Sequence, residues 1–231
     1  MQRRQFVKFC AASAASLASQ GVSADSQPRF YSKARLVDEK GAPLRARAVP
    51  ANRNLIFHYP YAATPCFLLN LGRPAQPAAR LKTADDKVYE WSGAVGEGRS
   101  IVAYSAICAH KLTYPTRDIS FISYRVEKSA RNRFGSVIHC CSEHSQYDPA
   151  EGARVVAGPA PQPLAAILLE HDLNTDELHA VGTLGGELFN EFFEKYAFRL
   201  GLEHGAAARA AVGGSCLVQA LDSYCRQQVK C

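Results

Sequence analysis

Two short motifs that each combine a cysteine with a histidine constrain this chain more than any other feature. The first is Cys108-Ala109-His110, and the second, after thirty intervening residues, is Cys141-Ser142-Glu143-His144. Spacings of one and two residues allow each loop to present both of its side chains to one centre. The sequence therefore predicts that two thiolates and two imidazoles are brought together to hold a metal centre.

This Cys2His2 donor set suits two kinds of centre. Thiolate and imidazole ligands in a tetrahedral arrangement are typical of zinc. The same donors also hold a [2Fe-2S] cluster in which two cysteines bind one iron and two histidines bind the other. Ligand type and spacing leave both centres open.

Short apolar runs separated by turn residues make up most of residues 25–184. Such runs are typical of β-strands, and few long segments here have the helical period. The runs that predict strands lie at 55–59, 66–71, 87–91, 100–105, 118–124, 136–139, 154–156, 165–169 and 178–181. We therefore expect an all-β domain over residues 25–184, either a sandwich or a small barrel.

Residues 185–231 predict a helical C-terminal extension. Apolar and aromatic side chains recur at helical spacing from Glu187 onward, and Gly201 is expected to end this amphipathic helix. A second helical piece is expected at about 215–229. We expect the aromatic stripe of the first helix to dock on the β core, and binding to a partner protein is the alternative.

The first 24 residues resemble a twin-arginine (Tat) secretion signal. Arg3-Arg4 is followed by Phe6-Val7 and Lys8, and then by an Ala- and Ser-rich run that ends at Val22-Ser23-Ala24. That run is too weakly apolar to span a bilayer core about 30 Å thick, and no later stretch is long enough. The resemblance implies a periplasmic protein, exported already folded, whose mature form has no transmembrane anchor.

Composition and charge exclude several classes of protein. The chain of 231 residues is 47% hydrophobic and 21% charged, which is typical of a globular protein rather than a disordered one. Its formal net charge of +6 falls to +3 when residues 1–24 are removed with Arg3, Arg4 and Lys8. So small an excess predicts no nucleic-acid partner. The basic stretch at 125–133, between the two motifs, predicts an elaborated hairpin.

Around the two motifs, the chain resembles the Rieske iron-sulfur proteins. The first motif is entered from a strand that reads IVAYSAIC, and HSQYDP at 144–149 is similar to the serine and aromatic-Asp stretch that follows the second ligand pair. The run GPAPQPL at 158–164 is similar to the proline-rich loop that covers the cluster. The resemblance spans residues 99 to about 182. It implies a β-sandwich with a small cluster-binding subdomain at about 105–164.

The resemblance implies a [2Fe-2S] cluster and its ligands. Cys108 and Cys141 would bind the inner iron, and His110 and His144 would bind the outer iron. The second motif departs from the family pattern because it is one residue short after His144. Counting back from the downstream tyrosine nominates Cys140 instead. We prefer Cys141 because the C-x-x-H spacing places both ligands on one loop.

Further roles follow from the same resemblance. It implies that the hydroxyls of Ser145 and Tyr147 donate to the cluster sulfurs and raise the reduction potential. The alternative is that these two residues only pack against the loop or cap it. The proline-rich loop would place Pro159 and Pro161 over the cluster.

Disulfide pairing is left open by the sequence. In the quinol-oxidising Rieske subunits a disulfide joins the two ligand loops, but Thr113 and Glu143 occupy those positions here. An ionised Glu143 is also expected to lower the reduction potential. One possible bridge fixes the C-terminal segment through Cys216, Cys225 or Cys231. The cysteines left without an assigned partner are Cys66, Cys140, Cys216, Cys225 and Cys231.

The resemblance implies an electron-transfer protein, or an electron-transfer subunit of an oxidoreductase, rather than a stand-alone catalyst. Its partner would be an oxidoreductase large subunit or a cytochrome, and the small subunit of arsenite oxidase is a relative of this kind. One alternative is a zinc-binding or cluster-less module on the same fold, and another is a quinol-oxidising subunit of a cytochrome bc complex. A ring-hydroxylating oxygenase is not expected, because it needs a mononuclear iron site on a further large domain.

Overall fold

The computed structural model describes residues 27–231, so the segment that resembles a Tat signal lies outside the described residues. The strands are β1 (Arg29–Val37), β2 (Leu55–His58), β3 (Pro65–Asn70), β4 (Ala79–Lys82), β5 (Val88–Trp91), β6 (Ile101–Ser105), β7 (Ile119–Ser120), β8 (Ile122–Arg125), β9 (Val137–Cys140), β10 (Ser145–Asp148), β11 (Arg154–Ala157), β12 (Ala166–His171), β13 (Leu178–Leu184), β14 (Gly214–Leu217), β15 (Gln219–Ala220) and β16 (Gln227–Gln228). The helices are α1 (Phe189–Lys195), α2 (Ala197–His204) and α3 (Leu221–Tyr224). The expected all-β class with a helical C-terminal part is confirmed.

Eight strands form a large sheet in the order β14-β1-β13-β12-β6-β3-β2-β15. Neighbours pair antiparallel, except that β14 runs parallel to β1. Successive residues of β3 face opposite apolar layers, with Phe67 and Leu69 in one layer and Cys66 and Leu68 in the other. Because both faces are covered, the central strands β3 and β6 have continuous apolar runs in the sequence.

A four-stranded sheet in the order β11-β10-β9-β8 shares its core with the large sheet. Tyr104 of β6 and Tyr147 of β10 are both fully buried in this shared core. The Tyr104 hydroxyl donates to the carbonyl oxygen of Pro149 at 2.8 Å. The first motif follows β6 in the large sheet, and the second lies between β9 and β10 in the small one. The shared core therefore holds the two motifs side by side.

The aromatic stripe after Glu187 forms two helices instead of the single predicted helix. The break lies at Tyr196, where φ is −110° and ψ is 18°, and Gly201 lies inside α2 rather than at its end. The Tyr196 ring packs on Tyr114 with 4.9 Å between the ring centroids, which turns the chain at this residue. Docking of the stripe on the β domain is confirmed, because its buried aromatic side chains pack with Ala63, Ile107 and Tyr114.

The prediction of a second helical piece at about 215–229 is wrong. This segment contains β14, β15, one turn of helix and β16. It adopts strands because β14 pairs with β1 and β15 pairs with β2 at the two edges of the large sheet. No helix within residues 27–231 is long and apolar enough to cross a membrane.

Candidate metal centre

The two motifs adjoin each other through side-chain contacts. The first ligand loop (residues 106–114) is reached by Tyr147 of β10, whose hydroxyl accepts a hydrogen bond from the Ala109 N–H at 3.1 Å. The same hydroxyl lies 3.3 Å from Cys108 Sγ. Lys111 Nζ donates to the carboxylate of Glu143 at 3.0 Å and so joins the first loop to the second ligand loop (residues 140–144).

Cys108 and Cys140 form a pair of buried thiols between these loops. The two side chains lie close enough to perturb each other's ionisation. The Cys140 side chain lowers the pKa of Cys108 below its ordinary value, and the Cys108 side chain raises the pKa of Cys140 above its ordinary value. A thiolate is the form that binds metals, so a lowered pKa favours the metal-binding form of Cys108.

Cys141, the sulfur ligand preferred from the C-x-x-H spacing, is taken up in a disulfide with Cys231. A sulfur in a disulfide has no thiolate to offer to a metal. The physical reason is the alternation of side chains at the end of β9. Ile138 and Cys140 face the shared core, whereas His139 and Cys141 face Cys231. The structure therefore places Cys140, the alternative obtained by counting back from the tyrosine, beside Cys108.

His110 and His144 each have a buried Nδ1 atom without a hydrogen-bond partner among the described residues. Buried polar atoms are nearly always bonded, so these two nitrogens on adjoining loops are available as ligands for a metal. The pKa of the Glu143 carboxyl is lowered, mainly by Lys111 and to a smaller extent by the two imidazole rings. His144 also has a φ of +60°, a strained conformation for a residue with a side chain and one that is common at functional sites.

The proline-rich loop touches the second ligand loop through Gly158. This glycine has a φ of +86°, and a Cβ there would lie 2.5 Å from the carbonyl oxygen of His144. Gly158 opens the GPAPQPL run, and a glycine at the start of such a loop is a recognisable signal, but the sequence did not predict this contact. Pro159 and Pro161 are exposed, and their roles stay predictions. Ser145 Oγ is buried and has no partner within residues 27–231.

The disulfide ties the second ligand loop to a C-terminal strap (residues 226–231). The strap lies along residues 117–120 and forms backbone hydrogen bonds with them, including one from the Val229 N–H to the Ser120 oxygen at 2.8 Å. Arg125 also donates to the Val229 oxygen at 2.5 Å. Among the C-terminal cysteines, Cys231 forms the bridge, and its partner lies 90 residues away in the chain. The free cysteines of the described residues are Cys66, Cys108, Cys140, Cys216 and Cys225.

The distances between donor atoms bear on the kind of metal centre. Within residues 27–231, the donors of His139, Cys141 and Cys231 lie within 4.8 Å of one another, but the disulfide removes both thiolates of that group. The donors on the two ligand loops do not form so compact a set. Four ligands of a tetrahedral zinc ion lie within about 4 Å of one another. The donors of the two ligand loops therefore do not form a closed tetrahedral zinc site among the described residues.

A hairpin between β8 and β9, the basic hairpin (residues 126–136), covers the outer edge of His144. Arg131 Nη1 lies 2.6 Å from His144 Nε2. Gln146 Nε2 donates to the Arg131 carbonyl oxygen at 2.5 Å and fixes the hairpin there. A guanidinium is permanently charged, so Arg131 adds a positive charge at this edge. The sequence predicted an elaborated hairpin but did not show what it contacts.

Comparison with known proteins gives a distant likeness to a solved structure. The chain matches no protein-family model. It is similar to the crystal structure of the soluble domain of the Rieske protein II (soxF) from Sulfolobus acidocaldarius, with 24% sequence identity, a TM-score of 0.47, and coverage of 68% of this chain and 82% of that chain. A likeness of this degree does not by itself assign a family or a function to the chain.

Proposed function

We propose that this protein is a Rieske-type [2Fe-2S] electron-transfer protein, or the electron-transfer subunit of an oxidoreductase complex. The observation that carries the proposal is the pair of buried thiols beside two buried, unpartnered imidazole nitrogens on adjoining loops. When bound, the cluster supplies one-electron chemistry, at about −150 to +300 mV for this ligand type against about −400 mV for plant-type all-cysteine clusters. The residues that would hold it are Cys108, Cys140, His110 and His144.

Neighbouring side chains tune the centre. The Tyr147 hydroxyl accepts from the Ala109 N–H, so its own proton is left for the Cys108 sulfur. Hydrogen bonds to the sulfurs stabilise the more negative reduced state. The unpartnered hydroxyl of Ser145 is a second donor for the same purpose. The carboxylate of Glu143 acts in the opposite sense, and its ion pair with Lys111 weakens that effect.

The proposed compartment is the periplasm, reached through a Tat signal in residues 1–24. The twin arginine supports this, and so does the Cys141–Cys231 disulfide, because disulfides persist in oxidising compartments. Transfer of single electrons requires a redox partner protein, either an oxidoreductase large subunit or a cytochrome. A quinol-oxidising role is less favoured, because Thr113 and Glu143 replace the loop disulfide of those subunits.

Metal analysis and low-temperature EPR of the full chain test the proposal. We expect two irons, two sulfides and, after reduction with dithionite, a Rieske-like spectrum. A single zinc, or a protein without iron or EPR signal, would contradict it. His144→Ala should abolish the spectrum. His204→Ala, at the end of α2, should leave the spectrum unchanged.

A further inference from the structure

The basic hairpin carries positive charge that the protein does not neutralise. It contains Lys128, Arg131 and Arg133 against one acidic residue, Glu127, and all four residues are exposed. None of the three basic side chains forms an ion pair with a carboxylate of residues 27–231. Their charge is therefore available to another molecule.

Two basic residues near the ligand loops are neutralised, in contrast to those of the hairpin. Lys111 pairs with Glu143 at 3.0 Å, and Arg226 of the strap pairs with Asp118 at 3.3 Å. Arg125 and Lys230, which line one pocket with Lys128, also form no ion pair within residues 27–231, so the hairpin is part of a wider basic surface.

Polar contacts hold the basic hairpin in one shape. Asn132 is only 1% exposed, and its amide donates to the carbonyl oxygen of Glu127 at 2.8 Å. Asn132 Oδ1 accepts from the Gly135 N–H at 3.1 Å. Gln146 of β10 donates to the carbonyl oxygen of Arg131, at the centre of the hairpin. A surface that is already ordered loses little conformational entropy when a partner binds.

The basic hairpin also exposes apolar and aromatic side chains. Phe134 is 55% exposed and Val126 is 41% exposed among the basic side chains. Aromatic residues and arginine are enriched in protein–protein interfaces. Through Arg131, the hairpin touches His144 at 2.6 Å. A partner bound here lies next to the ring that would bind the outer iron.

We propose that the basic hairpin is the docking surface for the redox partner, and that this partner is a protein with acidic side chains around its own redox group. The inference rests on the proposed function, because docking at this place serves electron transfer through His144. Opposite charges steer the two proteins together and raise the association rate, and salt weakens this attraction.

Two small oxidants, one anionic and one cationic, test the sign of the charge on this surface without knowledge of the partner. In each reaction the reduced protein loses one electron, and the oxidant, either anionic ferricyanide or cationic tris(phenanthroline)cobalt(III), gains it. We expect the double variant Lys128→Glu/Arg133→Glu to react with ferricyanide roughly tenfold more slowly at an ionic strength of about 10 mM. The same variant should react faster with the cobalt complex, and both differences should shrink as salt is added. Arg131 is left unchanged because it contacts His144.

A matched control and a second readout separate the possible failures. Lys40→Glu, an exposed change in the turn after β1, should alter both rates less than twofold, whereas Lys128→Glu alone should slow the ferricyanide reaction more than that. Fluorescence anisotropy of labelled polyglutamate should show weaker binding to the double variant than to the wild-type full chain. If the double variant keeps its iron and EPR spectrum yet reacts with both oxidants at wild-type rates, the docking surface is wrong. If the wild type holds no iron, the proposed function fails, and polyglutamate binding still decides the docking surface.

Discussion

The two ligand loops are held in place by different forces. The first loop rests on an aromatic cluster, in which Tyr114 packs against Phe192 with 4.9 Å between ring centroids. The second loop is held by the Cys141–Cys231 disulfide and by hydrogen bonds of the strap. The C-terminal extension supports both loops, the first through its helices and the second through its last residues. Loss of apolar packing should therefore loosen the first loop, and reduction should loosen the second.

The largest effect is expected from loss of the aromatic support. Phe192 is fully buried, so Phe192→Ala should lower the free energy of unfolding by about 3–5 kcal/mol, as is usual for such truncations. Denaturant titration measures the change. Phe198→Ala is the matched control, because Phe198 is 82% exposed and its loss should cost less than about 0.5 kcal/mol. Equal losses in the two variants would show that packing does not support the first loop.

Loss of the disulfide should have a somewhat smaller effect. Cys231→Ser should lower the free energy of unfolding by about 2–4 kcal/mol and speed the release of iron on heating. A thiol reductant should have the same effect on the wild type and none on the variant. In the control Cys216→Ser, a hydroxyl can replace the thiol that donates to the His58 oxygen at 3.0 Å. If Cys231→Ser releases iron no faster than Cys216→Ser, the strap does not hold the second loop.

Tyr147 of β10 contacts the first loop through its hydroxyl, which should affect both the stability of the protein and the reduction potential of the centre. Tyr147→Phe leaves the buried Ala109 N–H without a partner, which should cost about 1–3 kcal/mol. It also removes the donor to Cys108 and should lower the reduction potential. Tyr104→Phe removes an equally buried hydroxyl that bonds to Pro149, so it should cost stability but leave the potential unchanged. Potentiometry that gives the same potential for both variants would contradict this role of Tyr147.

The smallest effect is expected at the edge of the second loop. Arg131→Gln removes a positive charge next to His144, so the reduced state loses stabilisation. The reduction potential should therefore fall by tens of millivolts, where about 59 mV corresponds to 1.4 kcal/mol for one electron. Arg133→Gln, farther along the hairpin, should change the potential less. An unchanged or raised potential in Arg131→Gln would show that the guanidinium does not act on the centre.

Local patterns in the sequence were sufficient to predict the β domain and the contact between the two motifs. Strands such as β3 and β6 are apolar at nearly every position because both faces are buried, and the cysteine and histidine spacings are local too. The β14 strand was missed because its conformation depends on pairing with β1, about 180 residues earlier in the chain. A pairing of that kind leaves no local signal.

The choice between Cys140 and Cys141 shows a second limit of the sequence. Spacing counts residues, but the side-chain direction at the end of β9 decides which sulfur faces Cys108. That direction depends on the pairing of β9 with β8 and β10, which sets the face that each residue occupies. The partner of Cys141 could not be inferred either, because the strap returns to this loop only in the folded chain.

The identity of the second sulfur ligand is the most direct test of this account. Iron content and the EPR spectrum should be measured for Cys140→Ser, Cys141→Ser and Cys231→Ser, all purified as full chains at low temperature. We predict that Cys140→Ser loses the Rieske-like spectrum, whereas Cys141→Ser keeps it and matches Cys231→Ser, because both lack only the same disulfide. Loss of the spectrum in Cys141→Ser, with retention in Cys140→Ser and Cys231→Ser, would contradict the account.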